Sequence, residues 1–184
     1  FVRGAERVRR GRDQAPLIVE ARLQRRVQRY GWDLAAADYE ALWQQQLAPA
    51  QSALLEAAAL SPGERVLDVA CGTGIVSAAA ARAVGVSGRV LGIDIAEQMV
   101  AAARRRALPQ AQFLRRDGEA LDDIADASFD VALCALGLMY MPSPERALQE
   151  MARVLRPGGR VALAVWGERA RCAWAPVLPI VEAE

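Results

Sequence analysis

Three aspartates and two glycines in this chain are placed where they could do chemistry. Asp68 lies inside VLDVACGTG (66–74), in a β-branched apolar run that finishes on Gly72 and Gly74. Asp94 ends a second apolar run, RVLGID, 20 residues after Gly74, and Asp117 ends a third, AQFLRRD. A strand needs neither the charges nor the glycines. Glycine accepts φ values closed to other residues and leaves its backbone bare for close approach. A helix beginning just after it offers free N–H groups. Such a loop, with a carboxylate at the next strand end able to hold two ribose hydroxyls, suits a nucleoside-containing cofactor. Asp94 also fits a second role, capping the helix that follows.

The dinucleotide fingerprint needs a third glycine, and that position is Ser77. A pyrophosphate would favour a nearby cation, whereas this loop carries Asp68. An acid beside the glycines suits a ligand with a cationic amine and no phosphate, as S-adenosylmethionine has. An NAD-dependent oxidoreductase is therefore the disfavoured alternative.

The elements that position these residues follow an alternating rhythm. Ser61-Pro62-Gly63 opens it. Strands are expected over 65–70, 89–94, 111–117, 131–136 and 160–166, with helices over 73–84, 97–107 and 144–155. Pro157-Gly158-Gly159 reads as a turn before the last strand. Near-continuous apolar strands alternating with helices imply a parallel sheet covered on both faces, and right-handed crossovers make it doubly wound. Ahead of it, residues 18 to about 60 read as helical, punctuated by Gly31 and Pro49, and carry Tyr30, Trp32, Tyr39 and Trp43. The stretch from Arg171 also reads as helical.

Composition sets limits. The chain has 184 residues, 53% hydrophobic and 24% charged, enough for one domain with a real core. The formal net charge of +1 argues against a general nucleic-acid binder. All 23 basic residues are arginine and there is no histidine, so imidazole acid–base and lysine Schiff-base chemistry are both absent. Cys71, Cys134 and Cys172 form neither a disulfide framework nor a zinc signature, so no metal is expected and a reducing cytoplasm fits. No apolar run approaches the roughly 18 residues of a membrane span. Nine of the first 29 residues are arginine against three acids, a basic stretch that reads as a solvated helix or extension, with a nucleic-acid or lipid contact as the other option.

At this level of detail the chain resembles the class I S-adenosylmethionine-dependent methyltransferases, most closely the small-molecule group with ubiquinone and menaquinone C-methyltransferases. VLDVACGTG resembles the first motif, GIDIAEQMV (92–100) the second and RRDGEAL (115–121) the adenine-binding segment. FDVALCALGLMYMP (129–142) resembles the fourth motif and EMARVLRPGGRVALAVWG (150–167) the approach to strand five. The resemblance implies a Rossmann-like sheet in the order 3-2-1-4-5 and S-adenosyl-L-methionine as cofactor. It implies that Asp68 faces the methionyl amine, that Ala70, Gly72 and Gly74 line the methionyl and ribose portion, and that Asp94 holds the ribose. Ile95 and Met99 would pack near the adenine, Asp117 and Gly118 would bond it, and Cys134 would sit beside the sulfonium. Ala70 stands where many members have glycine.

By the same resemblance residues 35–184 form the methyltransferase domain, with a helical lid to about 60, after a basic extension over 1–34. Family members usually add a helix and two further strands after strand five, so by this resemblance residues up to Glu184 are expected to end within that helix, short of those strands, and the native termini are open. The expected activity is methyl transfer to a small apolar acceptor, with Tyr39, Trp43, Met139, Tyr140 and Met141 around it. No catalytic residue is singled out; Tyr39, Tyr140 or a carboxylate are the candidate bases for a hydroxyl acceptor. A non-catalytic cofactor-binding member or an inactive fragment is the alternative.

Overall fold

A computed structural model describes residues 14–168, with side chains from residue 20. The first arginines, Cys172 and the helix expected from Arg171 lie outside the described residues. Two helices come first, α1 (Gln14–Ala35) and α2 (Tyr39–Ala58). Then follow β1 (Arg65–Val69), α3 (Ile75–Val84), β2 (Arg89–Asp94), α4 (Glu97–Arg104), β3 (Ala111–Arg115) and β4 (Phe129–Ala135). A 3-10 turn (Leu138–Tyr140), α5 (Pro144–Val154) and β5 (Leu155–Ala164) complete the order. The sheet runs β3-β2-β1-β4-β5 with every neighbour parallel, as expected.

Strand alternation divides the core in two. Val66, Val131 and Leu133 face one layer with Leu54, Val76, Ala80 and Val84 of α2 and α3. Leu67, Val69, Ala132 and Cys134 face the other, with Met151 and Val154 of α5. Asp68 shares the parity of Val66 and so points towards α3. No described helix is long and apolar enough to cross a membrane.

Three local expectations are corrected. Gly31 and Pro49 do not interrupt the helices: α1 runs through Gly31 and α2 contains Pro49, and the break falls at 36–38. Leu47, Leu54 and Ala58 bury one side of α2, and that packing outweighs the roughly 3 kcal/mol that an internal proline costs. Pro157-Gly158-Gly159 is a bulge within β5: Phe129 pairs Leu155 and Val131 pairs Arg160, so β5 spends five residues where β4 spends two. Gly158 takes φ +81, and a Cβ on Gly159 would lie 3.0 Å from the Asp130 carbonyl. β5 also ends at Ala164, short of the expected Trp166.

Arg160 closes the base of this arrangement. Its guanidinium donates to the Ala58 and Ala59 carbonyls at the end of α2 and pairs with Glu64 at 2.8 Å. A cation here satisfies orphan carbonyls and suits the negative end of the helix.

Candidate active site

The carboxyl ends of β1 to β4 open into a cleft, where doubly wound sheets bind ligands. Leaving β1, the chain turns through Ala70 at φ +57 and Gly72 at φ +55, then enters α3 through Gly74 at φ +81. On the facing strand end Leu136 is also left-handed, at φ +59. Non-glycine residues in this region cost on the order of 1–2 kcal/mol, and two of them meet across one cleft. Ala70 fits because its neighbour is Gly137: a Cβ on Gly137 would come within 2.4 Å of the Ala70 methyl.

Asp94 joins the first two loops. Its Oδ2 accepts from Gly72 N–H and its Oδ1 from Ala96 N–H, both at 2.9 Å. It therefore steadies the start of α4, yet it also lines the cleft, and a carboxylate keeps further acceptor capacity after two bonds. Burial pushes its pKa above the ordinary value, against those two N–H groups, which hold it down.

Asp68 lies deeper, beside a recess that it lines with Thr73, Ala70, Gly72 and Tyr39. Ser77 Oγ donates to its Oδ2 at 2.5 Å, which explains a serine where the dinucleotide pattern has glycine. Its Oδ1 and the Thr73 hydroxyl are buried without a hydrogen-bond partner among the described residues. Burial raises the Asp68 pKa to about 7. Two orphaned buried polar groups around one recess are costly unless something polar completes them.

Beyond β3, Asp117 Oδ1 accepts from Glu119 N–H at 3.0 Å, and its Oδ2 pairs with Arg25 Nε at 2.9 Å. Gly118 is pinned, because a Cβ there would lie 2.7 Å from Val69 Cγ1. Ile95 and Met99 complete this side of the cleft.

Two expected cleft residues lie elsewhere. Cys134 is fully buried in the α5 layer among Leu67, Val69 and Met151, because alternation along β4 turns it away; Ala135, Leu136 and Gly137 form that wall. Burial raises its thiol to about 12. Gly74 is a packing glycine: a Cβ would sit 3.0 Å from Ala103 Cβ and 3.2 Å from the Phe113 ring.

Several residues at the site carried no sequence signal. α1, assigned above to a basic extension, lies against α4 and contributes Arg25, Gln28 and Trp32 to the cleft. Arg25 reaches both Asp117 and Glu119, and Glu119 is 1% exposed, its other oxygen taken by Ser143 N–H. One arginine thus ties α1 to the loop after β3 and, through Glu119, to the start of α5. Arg25→Met should leave Glu119 a half-paired buried charge and cost about 3 kcal/mol, or roughly 6–12 °C in Tm. A thermal melt matching the wild type would show that the pair contributes nothing to stability.

Beside the cleft is an apolar cavity of about 520 Å³. Tyr39, Trp43, Met139 and Tyr140, the residues expected around an acceptor, all line it, joined by Trp32, Leu47, Leu136 and Trp166. Met141 lines the cleft instead. Trp32 stands edge-on to Tyr140 at 5.3 Å and to Tyr39 at 6.0 Å, and all three rings border both spaces. Burial, Tyr140 and Asp94 push the Tyr39 phenol up to about 12, so it is a hydroxyl at neutral pH and a poor base.

Comparison with known proteins agrees with this geometry. Residues 66–159 match a family described as a methyltransferase domain. The chain is 34% identical over 135 residues to an uncharacterized protein of Mycobacterium tuberculosis, covering 72% of this chain and 48% of that one. It is 40% identical over 112 residues to the ubiquinone/menaquinone biosynthesis C-methyltransferase UbiE of Ectopseudomonas mendocina, covering 58% and 43%. A solved Haloferax volcanii complex of the Trm112 methyltransferase activator with a methyltransferase matches with TM-score 0.69 and 26% identity, over 78% of this chain and 64% of that one. The chain spans about half the length of the curated relatives it matches. The matched span opens at Val66 in β1 and closes at Gly159 in β5, taking in β1 to β4 and the loops at their carboxyl ends, and the chain belongs to the class I S-adenosylmethionine-dependent methyltransferases.

Proposed function

We propose that the protein binds S-adenosyl-L-methionine in the cleft and transfers its methyl group to a small apolar acceptor held in the adjoining cavity. The observation that carries the cofactor assignment is the recess with Asp68 Oδ1 and Thr73 Oγ1, both unpartnered among the described residues. A carboxylate and a hydroxyl together complete an ammonium, and no described residue lining the recess carries a positive charge to neutralise a phosphate. Asp94 then takes the ribose hydroxyls. Asp117 offers the adenine amino group what acceptor capacity Arg25 leaves, and Gly118 offers its N–H.

The bound cofactor supplies an activated methyl on a sulfonium, so displacement is of the SN2 type. The chain orients the two reactants and keeps water out, which is where most of the rate would come from. Trp32, Tyr39 and Tyr140 form the partition at which methyl and acceptor meet. With Tyr39 a hydroxyl and no histidine in the chain, a carbanion-like carbon or a neutral amine needs no dedicated base here, whereas a hydroxyl acceptor would call on Tyr140 or a carboxylate. The cavity's aromatic lining favours a flat, uncharged acceptor.

The test is transfer of labelled methyl from the cofactor to a panel of aromatic and quinonoid acceptors, with S-adenosylhomocysteine and NADH compared by calorimetry. Binding of S-adenosylhomocysteine without any transfer would favour a non-catalytic binding member; binding of NADH instead would overturn the cofactor assignment. Asp94→Ala should weaken S-adenosylhomocysteine tenfold or more, since each hydrogen bond to a buried charge is worth about 1.5–3 kcal/mol. Unchanged affinity would leave Asp94 with its loop-bracing role alone.

A further inference from the structure

α1 has a second working face. Opposite the side that meets the cleft, Leu23, Val27, Tyr30 and Leu34 are 58%, 58%, 66% and 65% exposed. Their spacing of four, three and four residues lines them up in one row of about 16 Å. A row like this normally packs on a core, but the inner face of α1 already does so through Trp32 and Ala35, which pack on Ala96 and Met99, while Arg25 and Gln28 face the cleft. Flanking the row, Arg22, Arg26 and Arg29 are exposed, and none of them makes an ion pair among the described residues, whereas Arg25 makes two.

We propose that this face of α1 docks on an anionic lipid surface. The four apolar side chains would enter the boundary between headgroups and acyl chains while the three guanidiniums lie among anionic headgroups, so the helix lies on the membrane without crossing it. The charge balance selects this partner. The acids of α1 are Glu20 and Asp33, and Asp33 Oδ1 is occupied by Gln98 N–H, 2.8 Å away. The 13 residues ahead of α1 add five arginines against two acids. A nucleic acid would use the arginines but leave the apolar row in water. A second copy would bury the row but bring two unneutralised arginine sets together.

The test is co-sedimentation of the whole 184-residue chain with phosphatidylcholine vesicles, with and without phosphatidylserine. Binding should require the anionic lipid and fall as salt rises. Replacing Arg22, Arg26 and Arg29 together by glutamine should weaken it on the order of 100-fold, each arginine counting roughly fivefold near such a surface. Leu23→Ser with Val27→Ser should weaken it with the charge unchanged. Both variants should bind S-adenosylhomocysteine normally, because none of these residues lines the cleft. Equal binding to neutral and anionic vesicles, or none to either, overturns the proposal. So does row-dependent dimerisation without vesicle binding, or vesicle binding that the serine variant retains in full, as a bare polyanion site that leaves the row in water would. If the serine variant melts early, the lipid and salt dependence of the unaltered chain still decides.

Discussion

Gly72→Val is expected to remove cofactor binding, by 100-fold or more, while the fold survives. Gly72 sits at φ +55, and a Cβ there would have no heavy atom within 4 Å. The valine Cβ would therefore enter open space at a residue that borders both the cleft and the deeper recess. Holding a β-branched residue in this conformation costs about 1–2 kcal/mol, a modest fraction of the stability of a domain this size. Gly74→Val makes the contrast two residues on. There a Cβ meets Ala103 and the Phe113 ring at 3.0 and 3.2 Å with φ at +81, so the damage should be to folding. Circular dichroism, thermal melting and calorimetric titration of the pair separate the two kinds of glycine. Wild-type affinity for S-adenosylhomocysteine in Gly72→Val would reduce the loop to a turn.

That pair also indicates what a sequence can convey. The parallel, doubly wound sheet was legible because mostly apolar strand runs alternate with helices and crossovers are right-handed, whereas the order 3-2-1-4-5 came with the family resemblance. Asp94 was legible because a charge at the end of such a run has to be explained. Arg25 was not, because it meets Glu119 across 94 residues of chain and nothing set it apart from the other eight arginines near the N-terminus. Thr73 read as the start of the helix expected over 73–84, whereas α3 begins at Ile75 and the Thr73 hydroxyl is buried without a partner among the described residues. Cys134 was placed at the correct strand end on the wrong side. Counting alternation along β4 would have found this, since Cys134 shares its parity with Ala132 and not with Leu133.

Local signals failed where packing or pairing overrode them. Pro49 and Gly31 are breakers by propensity, yet α2 gains more from burying Leu47, Leu54 and Ala58 than it loses at one proline. Pro157-Gly158-Gly159 has the composition of a turn, and locally the chain does bend there. What composition omits is that β4 lies alongside, so that Leu155 is already paired with Phe129 before the bend and pairing resumes at Arg160. The outward row on α1 is the converse case. Its periodicity was present in the sequence, but only the fold shows that the opposite side of the helix is the one in use.

Asp68→Asn should make the protein more stable and a weaker binder of its cofactor. Burial raises the Asp68 pKa from 3.8 to about 7; Ser77 opposes the shift and Asp94 adds to it. A raised carboxylate pKa means that the folded state prefers the proton. Its contribution to stability is thus fully present below about pH 4 and is lost as the pH rises towards 7, amounting to a penalty on the order of 4 kcal/mol at the limit. Asparagine keeps the shape and cannot ionise, so its stability advantage should be under half its limit at pH 5, widen to pH 7.5 and then level, with a gain in Tm of roughly 8–16 °C at the limit. Affinity should move the other way. An ammonium in the recess would pair with the ionised carboxylate and complete Oδ1, so wild-type binding of S-adenosylhomocysteine should strengthen from pH 5 to pH 8. The variant should lack that slope and bind roughly 10–100-fold more weakly at pH 8, where a charge-assisted bond worth about 1.5–3 kcal/mol is missing. The raised pKa of Asp94 gives a slope of the same sign, which persists in the variant, so the Asp68 effect is read as the difference between the two curves. Parallel pH profiles for variant and wild type, in melting and in binding, would mean that Asp68 is a buried core acid with no part in holding a cation.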